Sequence, residues 1–143
     1  MIESGVYPKK NIDIIKILSE ILTSDPDNVG AVLTFFGITK RFSGTKKEVT
    51  NIEVESYVEH ASPIILKICQ EVKEKYNLSF VYIYHFIGNF NVGDPLVFVA
   101  VGGKTRKKVF PAIQEAVERY KSEPALFKKE VYVDGSQQWI SHA

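Results

Sequence analysis

Apolar side chains recur along this chain at helical spacing in some stretches and at strand spacing in others. From Asn11 to Thr23, Ile14, Ile15, Leu18, Ile21 and Leu22 share one face, which predicts an amphipathic helix stopped by Asp25-Pro26-Asp27-Asn28. Ala61, Ile64, Ile65, Ile68, Val72 and Tyr76 repeat that spacing and predict a second helix over roughly Glu59 to Tyr76, with Pro63 in its first turn. Val109, Ile113, Ala116, Val117 and Tyr120 predict a third over Thr105 to Lys121, ended by Pro124, whose ring cannot continue an α-helix.

The intervening stretches read as strands. Gly30 to Phe36 is a short apolar run rich in β-formers, and Asn51 to Val58 alternates Ile52 and Val54 with Glu53 and Glu55. Phe80 to Phe86 and Pro95 to Val101 predict a pair joined by a Gly- and Asn-rich turn from Gly88 to Asp94, and Phe127 to Val133 predicts a last strand. No repeat, low-complexity segment or linker divides the chain. The pattern predicts one α+β domain over residues 1–143, a largely antiparallel sheet with helices packed on one side of it.

Composition narrows the function classes. With 45% hydrophobic and 24% charged residues over 143 positions, the chain can bury a single core. Eighteen Lys and Arg against seventeen Asp and Glu leave a net charge of +1, so no global field recruits nucleic acid or an anionic membrane, and any basic function is local. An RNA-binding α+β domain would also want stacking aromatics beside basic residues on an exposed sheet face, and no strand carries that motif. The single cysteine, Cys69, has no Cys or His neighbours at metal-ligand spacing, which points to a reducing compartment, a core role for Cys69 and no structural zinc; no metal or cofactor is expected. The N-terminal residues lack a basic region followed by an apolar stretch, and the longest apolar runs, such as Leu96 to Val101, are too short to span a bilayer; a cytoplasmic protein is expected.

The common enzyme signatures (nucleophile elbow, Walker loop, dinucleotide fingerprint, HExxH) are absent, and what remains is a pattern of basic residues. Gly102-Gly103-Lys104-Thr105-Arg106-Lys107-Lys108 crowds cations at the start of a helix whose dipole already favours anions. A bound phosphate or carboxylate would relieve that crowding, with the glycines letting backbone N–H groups approach it; a solvated basic turn is the alternative. Lys121 and Lys128 flank Pro124, and a lysine near other cations or in a dry pocket loses proton affinity and can serve as an acid or base. Lys40, Arg41, Lys46 and Lys47 form a third basic group after the first core strand. His60, His85 and His142 have no metal partner by spacing, with His85 a structural residue of its strand, and Trp139 reads as a core or interface anchor.

Taken in order, these motifs resemble the molybdopterin synthase large subunit along nearly the whole chain, most clearly from Gly30 to Trp139. Gly30-Ala-Val-Leu-Thr-Phe-Phe-Gly37 with its basic loop is similar to the family's first core strand and Gly-x-x-Arg turn. Glu53-Val-Glu-Ser-Tyr57 is similar to the lead-in to the second helix, and His85-Phe-Ile-Gly88 with Val92-Gly-Asp94 to the central hairpin. The most specific element is the Lys121 to Glu130 block, followed by Tyr132, Gly135 and Trp139. The family's His-Arg at the third helix is here Thr105-Arg106, its Gly-x-x-Arg ends in Lys40 with Arg41 adjacent, its His-Arg-x-Gly reads His85-Phe86-Ile87-Gly88, and Phe127 stands where a tryptophan is usual.

The resemblance implies a sulfurtransferase that converts cyclic pyranopterin monophosphate to molybdopterin, in molybdenum cofactor biosynthesis. Its sulfur comes from a small ubiquitin-like partner whose Gly-Gly tail bears a C-terminal thiocarboxylate, and the large subunit is a homodimer within a heterotetramer. Lys121 and Lys128 match the catalytic lysines, and Arg106 a substrate-binding arginine. The turn around Gly103, Thr105 and Arg106, with Lys40 or Arg41, would hold the anionic substrate. The rival from another class is a non-catalytic module that binds a Gly-Gly-tailed protein or an anion.

Overall fold

All three predicted helices are present, as α1 (Ile14–Thr23), α2 (Val58–Lys75) and α3 (Arg106–Ser122), in a computed structural model that describes residues 1–44 and 46–140. Asp13 caps α1 by accepting the backbone N–H of Lys16 at 3.1 Å, a side-chain bond that replaces a missing helical one. Pro63 lies just past the first turn of α2, because the helix starts one residue early at Val58, a residue that reads as the end of a strand. Pro124 does follow the end of α3. No helix among the described residues is long and apolar enough to cross a membrane.

Seven strands form one sheet: β1 (Gly5–Pro8), β2 (Ala31–Ile38), β3 (Val49–Ser56), β4 (Phe80–Asn91), β5 (Pro95–Gly103), β6 (Leu126–Tyr132) and β7 (Gln137–Ile140). The order is β2-β5-β4-β3-β6-β7, all antiparallel, with β1 added parallel to β4. The four-residue β1 and β7 leave no readable alternation in the sequence.

β4 is longer than its apolar run. It continues through Gly88-Asn89-Phe90-Asn91, which the composition assigns to a turn. Its first half, Phe80 to His85, pairs with β5, and its second half, Gly88 to Asn91, pairs with β3. Gly88 sits at the changeover with φ +126°, a conformation that L side chains rarely adopt.

The period of two on β5 divides the interior. Val97, Val99 and Val101 pack with Ile65, Ile68 and Val72 of α2 and Val109, Ala112 and Ala116 of α3. Leu96, Phe98 and Ala100 join Tyr84, Phe86 and Phe90 on the opposite face, where Ile17 and Ile21 of α1 cover them. Only α2 and α3 therefore share a side of the sheet. The expectation of all helices on one side fails for α1, because alternate residues of buried β5 are apolar in both directions and each face needs a cover. Each fully buried Val or Phe here contributes about 1.5–3 kcal/mol relative to exposure.

Candidate active site

The α3 helix ends at the start of β6, so Lys121 on the last turn and Lys128 on the strand converge after the Pro124 corner. Both line a cavity of ≈ 220 Å³. Its walls come from both halves of the sheet: Phe35, Gly37, Ile38, Leu96 and Val97 from β2 and β5, and Ile52, Glu130 and Ile140 from β3, β6 and β7. Tyr120 and Lys40 complete it. Gly37 has to be a glycine for packing, since a Cβ there would come within 2.7 Å of a Val97 methyl.

The electrostatics of the pair are unequal. Burial, and after it the ammonium of Lys121, holds Lys128 below the ordinary lysine value. Desolvation penalises the charged form, so Lys128 releases its proton more readily than a surface lysine. Glu130, two residues along β6 and on the same face, is buried and accepts the Tyr132 hydroxyl at 2.8 Å. Lys129 points the other way, with its Nζ 2.8 Å from a Glu53 carboxylate oxygen and 5.5 Å from the centre of the Trp139 ring.

The basic loop after β2 separates into two roles. Lys40 lines the cavity, whereas Arg41 is turned to Glu48 at 3.7 Å on the exposed surface. Lys47 pairs with Asp134 at 3.8 Å.

Thr105 and Arg106 are not brought to the lysines within one chain. They open α3, and Lys121 lies near its far end; at about 1.5 Å per residue the separation is roughly 22 Å. Thr105 is the helix N-cap without a side-chain capping bond, and both residues are exposed. Gly103 has a packing reason of its own. It is buried in β5, its carbonyl accepts the Gly30 N–H at 2.9 Å, and a Cβ there would meet Leu78 at 2.8 Å. Gly102 likewise has no room for a Cβ, which would fall 2.3 Å from the Phe80 ring. Packing alone therefore requires glycine at both positions.

The histidines and the tryptophan fall as follows. His85 is buried with Nδ1 3.0 Å from the Phe86 carbonyl, His60 is exposed, and His142 lies outside the described residues. Trp139 is 55% exposed, so it is not a core anchor. Cys69 is buried, and burial pushes its thiol up to about 11, which keeps it protonated and inert. Among the described residues no group of three or more His, Cys, Asp or Glu is placed to hold a metal. Two cavity residues carry no individual role in the sequence: Glu130, which the period of two from Lys128 could have placed, and Tyr120, which reads only as the last apolar position of the third helix.

The family model described as MoaE protein matches residues 8–123. The molybdopterin synthase catalytic subunit of Bos taurus is 31% identical over 139 residues, covering 92% of this chain and 72% of that protein. That of Bacillus subtilis (strain 168) is 34% identical over 111 residues, covering 78% and 69%. Among solved structures, molybdopterin synthase from Staphylococcus aureus superposes with a TM-score of 0.85 at 26% identity, covering 99% of both chains. A protein–protein complex of subunits 1 and 2 of molybdopterin-converting factor from Helicobacter pylori 26695 has the same fold, with a TM-score of 0.72 at 15% identity over 98% of this chain and 92% of that one. By family match, by identity and by fold, this chain belongs to the MoaE protein family, the catalytic subunits of the sulfur-transferring enzyme molybdopterin synthase.

Proposed function

We propose that the cavity between Lys121 and Lys128 is where sulfur passes from the C-terminal thiocarboxylate of a small ubiquitin-like partner to cyclic pyranopterin monophosphate. The observation that carries this is Lys128 itself, an ammonium half-buried in a cavity wall and held below the ordinary lysine value. A group of that kind can stabilise developing negative charge and deliver a proton near neutral pH. In the step, the thiocarboxylate sulfur bonds to a side-chain carbon of the substrate as a carbon–oxygen bond there breaks and the departing oxygen takes up a proton; water then cleaves the acyl–sulfur bond to free the partner's carboxylate, leaving the sulfur on the substrate, and a second thiocarboxylated partner delivers the second sulfur in the same way. Lys128 supplies the proton and charge stabilisation, with Lys121 beside the thiocarboxylate.

Size supports a division of the site. Small-molecule pockets usually measure about 300–1,000 Å³, so a cavity of ≈ 220 Å³ suits the reacting ends, a side-chain-free Gly-Gly tail and the tip of the substrate, rather than a whole pterin. The substrate's phosphate then needs a second basic group, which the Thr105-Arg106 turn offers from a second copy of the chain. β2 is an edge strand, and beside it an apolar groove of ≈ 430 Å³ runs between Leu33, Phe35, Phe110, Ile113 and Val117. A two-fold axis across β2 and α3 would lay the start of one α3 against the end of the other, delivering Arg106 of one protomer to Lys121 and Lys40 of its partner. The active assembly in this reading is a heterotetramer, two large subunits each receiving one small partner.

The test is turnover of cyclic pyranopterin monophosphate by the purified chain with a thiocarboxylated Gly-Gly partner. Molybdopterin formation is the expected result. Tight partner binding without any product would overturn the catalytic reading and favour a binding module.

A further inference from the structure

Three tyrosines of this chain are buried: Tyr84, Tyr120 and Tyr132. Tyr84 donates to the Ile2 carbonyl at 2.7 Å, and Tyr132 to Glu130 at 2.8 Å, as a phenol shut away from water ordinarily must. Tyr120 is 2% exposed, yet its hydroxyl makes no hydrogen bond among the described residues, and it alone of the three lines the lysine cavity. The hydroxyl lies 3.8 Å from the place a Cβ on Gly37 would occupy, on the cavity wall that the absence of a side chain there leaves open. Its ring is held from behind by His85, with ring centroids 5.7 Å apart.

We propose, resting on the sulfur-transfer reading above, that the Tyr120 hydroxyl contacts the substrate, donating a hydrogen bond to the acyl oxygen of the partner's C-terminal group. The cavity's chemistry selects the acceptor. Lys40, Lys121 and Lys128 outnumber the one carboxylate of the wall, Glu130, and call for an anionic group, and the limited volume calls for the end of a chain. Burial pushes the Tyr120 phenol up to about 12, so at neutral pH it is a donor and carries no charge. A neutral donor can stabilise an acyl oxyanion without adding to the repulsion between the lysines. The proton stays on the phenol throughout, so bonding to the acyl group is all the residue is asked to do.

The test is Tyr120→Phe in the full chain, which keeps the ring, its packing on His85 and the cavity shape while removing one oxygen. The melting temperature should match the parent's. Affinity is then measured for the carboxylate form of the Gly-Gly partner and for the same partner shortened by that dipeptide, beside turnover with the thiocarboxylated form. A lost hydrogen bond to a charged acceptor predicts a fall of about 10- to 100-fold in kcat/KM and weaker binding of the tailed partner, with the shortened partner unaffected. Parental turnover and parental affinity for the tail would overturn the assignment, and so would an equal loss toward both partners. If the parent chain makes no product at all, the sulfur-transfer reading fails, while the two affinities still decide whether the hydroxyl meets the tail.

Discussion

Lys128 and Lys129 are adjacent on β6 and have opposite surroundings: the first faces the cavity, and the second is tied to Glu53 at 2.8 Å on the far side of the strand. Lys128→Ala is expected to lower molybdopterin formation by about 10²- to 10⁴-fold, the usual worth of a positioned acid–base group. The protein should stay folded and still bind its partner, because truncating a lysine that packing does not rely on leaves the core intact. Lys129→Ala removes one partly exposed ion pair and should keep most of the activity. Steady-state turnover beside partner binding separates the two variants, and near-parental rates for Lys128→Ala would exclude it from the chemistry.

Lys121 is the second cause, after burial, of the lowered proton affinity of Lys128. Lys121→Met is therefore expected to raise the titration midpoint of Lys128 while leaving it below the ordinary value of 10.5, since burial persists. Because the protonated form of Lys128 is the one that stabilises charge, turnover in the parent should fall on the alkaline side at a pH below that of a surface lysine. Following the lysine side-chain signals by NMR against pH measures the midpoint directly. A midpoint that stays put or drops would show that the two ammoniums do not feel each other.

Lys40 and Arg41 make a similar contrast in the loop after β2. Lys40→Ala should raise the KM for the pterin substrate, because its ammonium is part of the cavity wall. Arg41→Ala removes an exposed pair with Glu48 and should change KM little, within the fraction of a kcal/mol that such pairs are worth. Equal effects would mean that the loop acts as a diffuse basic patch.

A site shared between protomers predicts complementation. Arg106→Ala and Lys128→Ala homodimers should each be nearly inactive, whereas subunit exchange between equal amounts should restore about a quarter of the parental sites, since half the dimers are mixed and each mixed dimer has one intact site. Light scattering should give a dimer at micromolar concentration. Complete lack of recovery after verified exchange would place Arg106 outside the partner's cavity.

How much of this was legible in the sequence depends on the range of the forces involved. The helices were readable because Ile65, Ile68 and Val72, or Val109, Ala112 and Ala116, carry their burial in local spacing. The extension of β4 past Gly88 was not, because Asn89 and Asn91 are poor strand formers held by pairing with Glu53 and Asn51, more than thirty residues away. The second cover over β5 was missed for a related reason, since a strand apolar on both faces gives no sign of which helix takes which side. At the site, resemblance picked out Lys121 and Lys128 and left Lys40 and Arg41 open; in the fold Lys40 lines the cavity while Arg41 pairs with Glu48. The packing reason for Gly103 was not legible, because a glycine kept free for a ligand and one hemmed in by Leu78 look alike in one dimension.

Gly88, where β4 changes partners, gives the cavity an unusual dependence. Two walls of one chamber belong to separate hydrogen-bonded ladders, and the chain passes from one to the other through a backbone torsion that only glycine adopts freely. No atom lies within 4 Å of where a Cβ on Gly88 would stand, so space does not demand the glycine; the torsion does. The junction between the two walls thus runs through a residue that lines neither of them. A relative that kept every wall-lining side chain but replaced this glycine would inherit the chemistry's ingredients and lose their spacing.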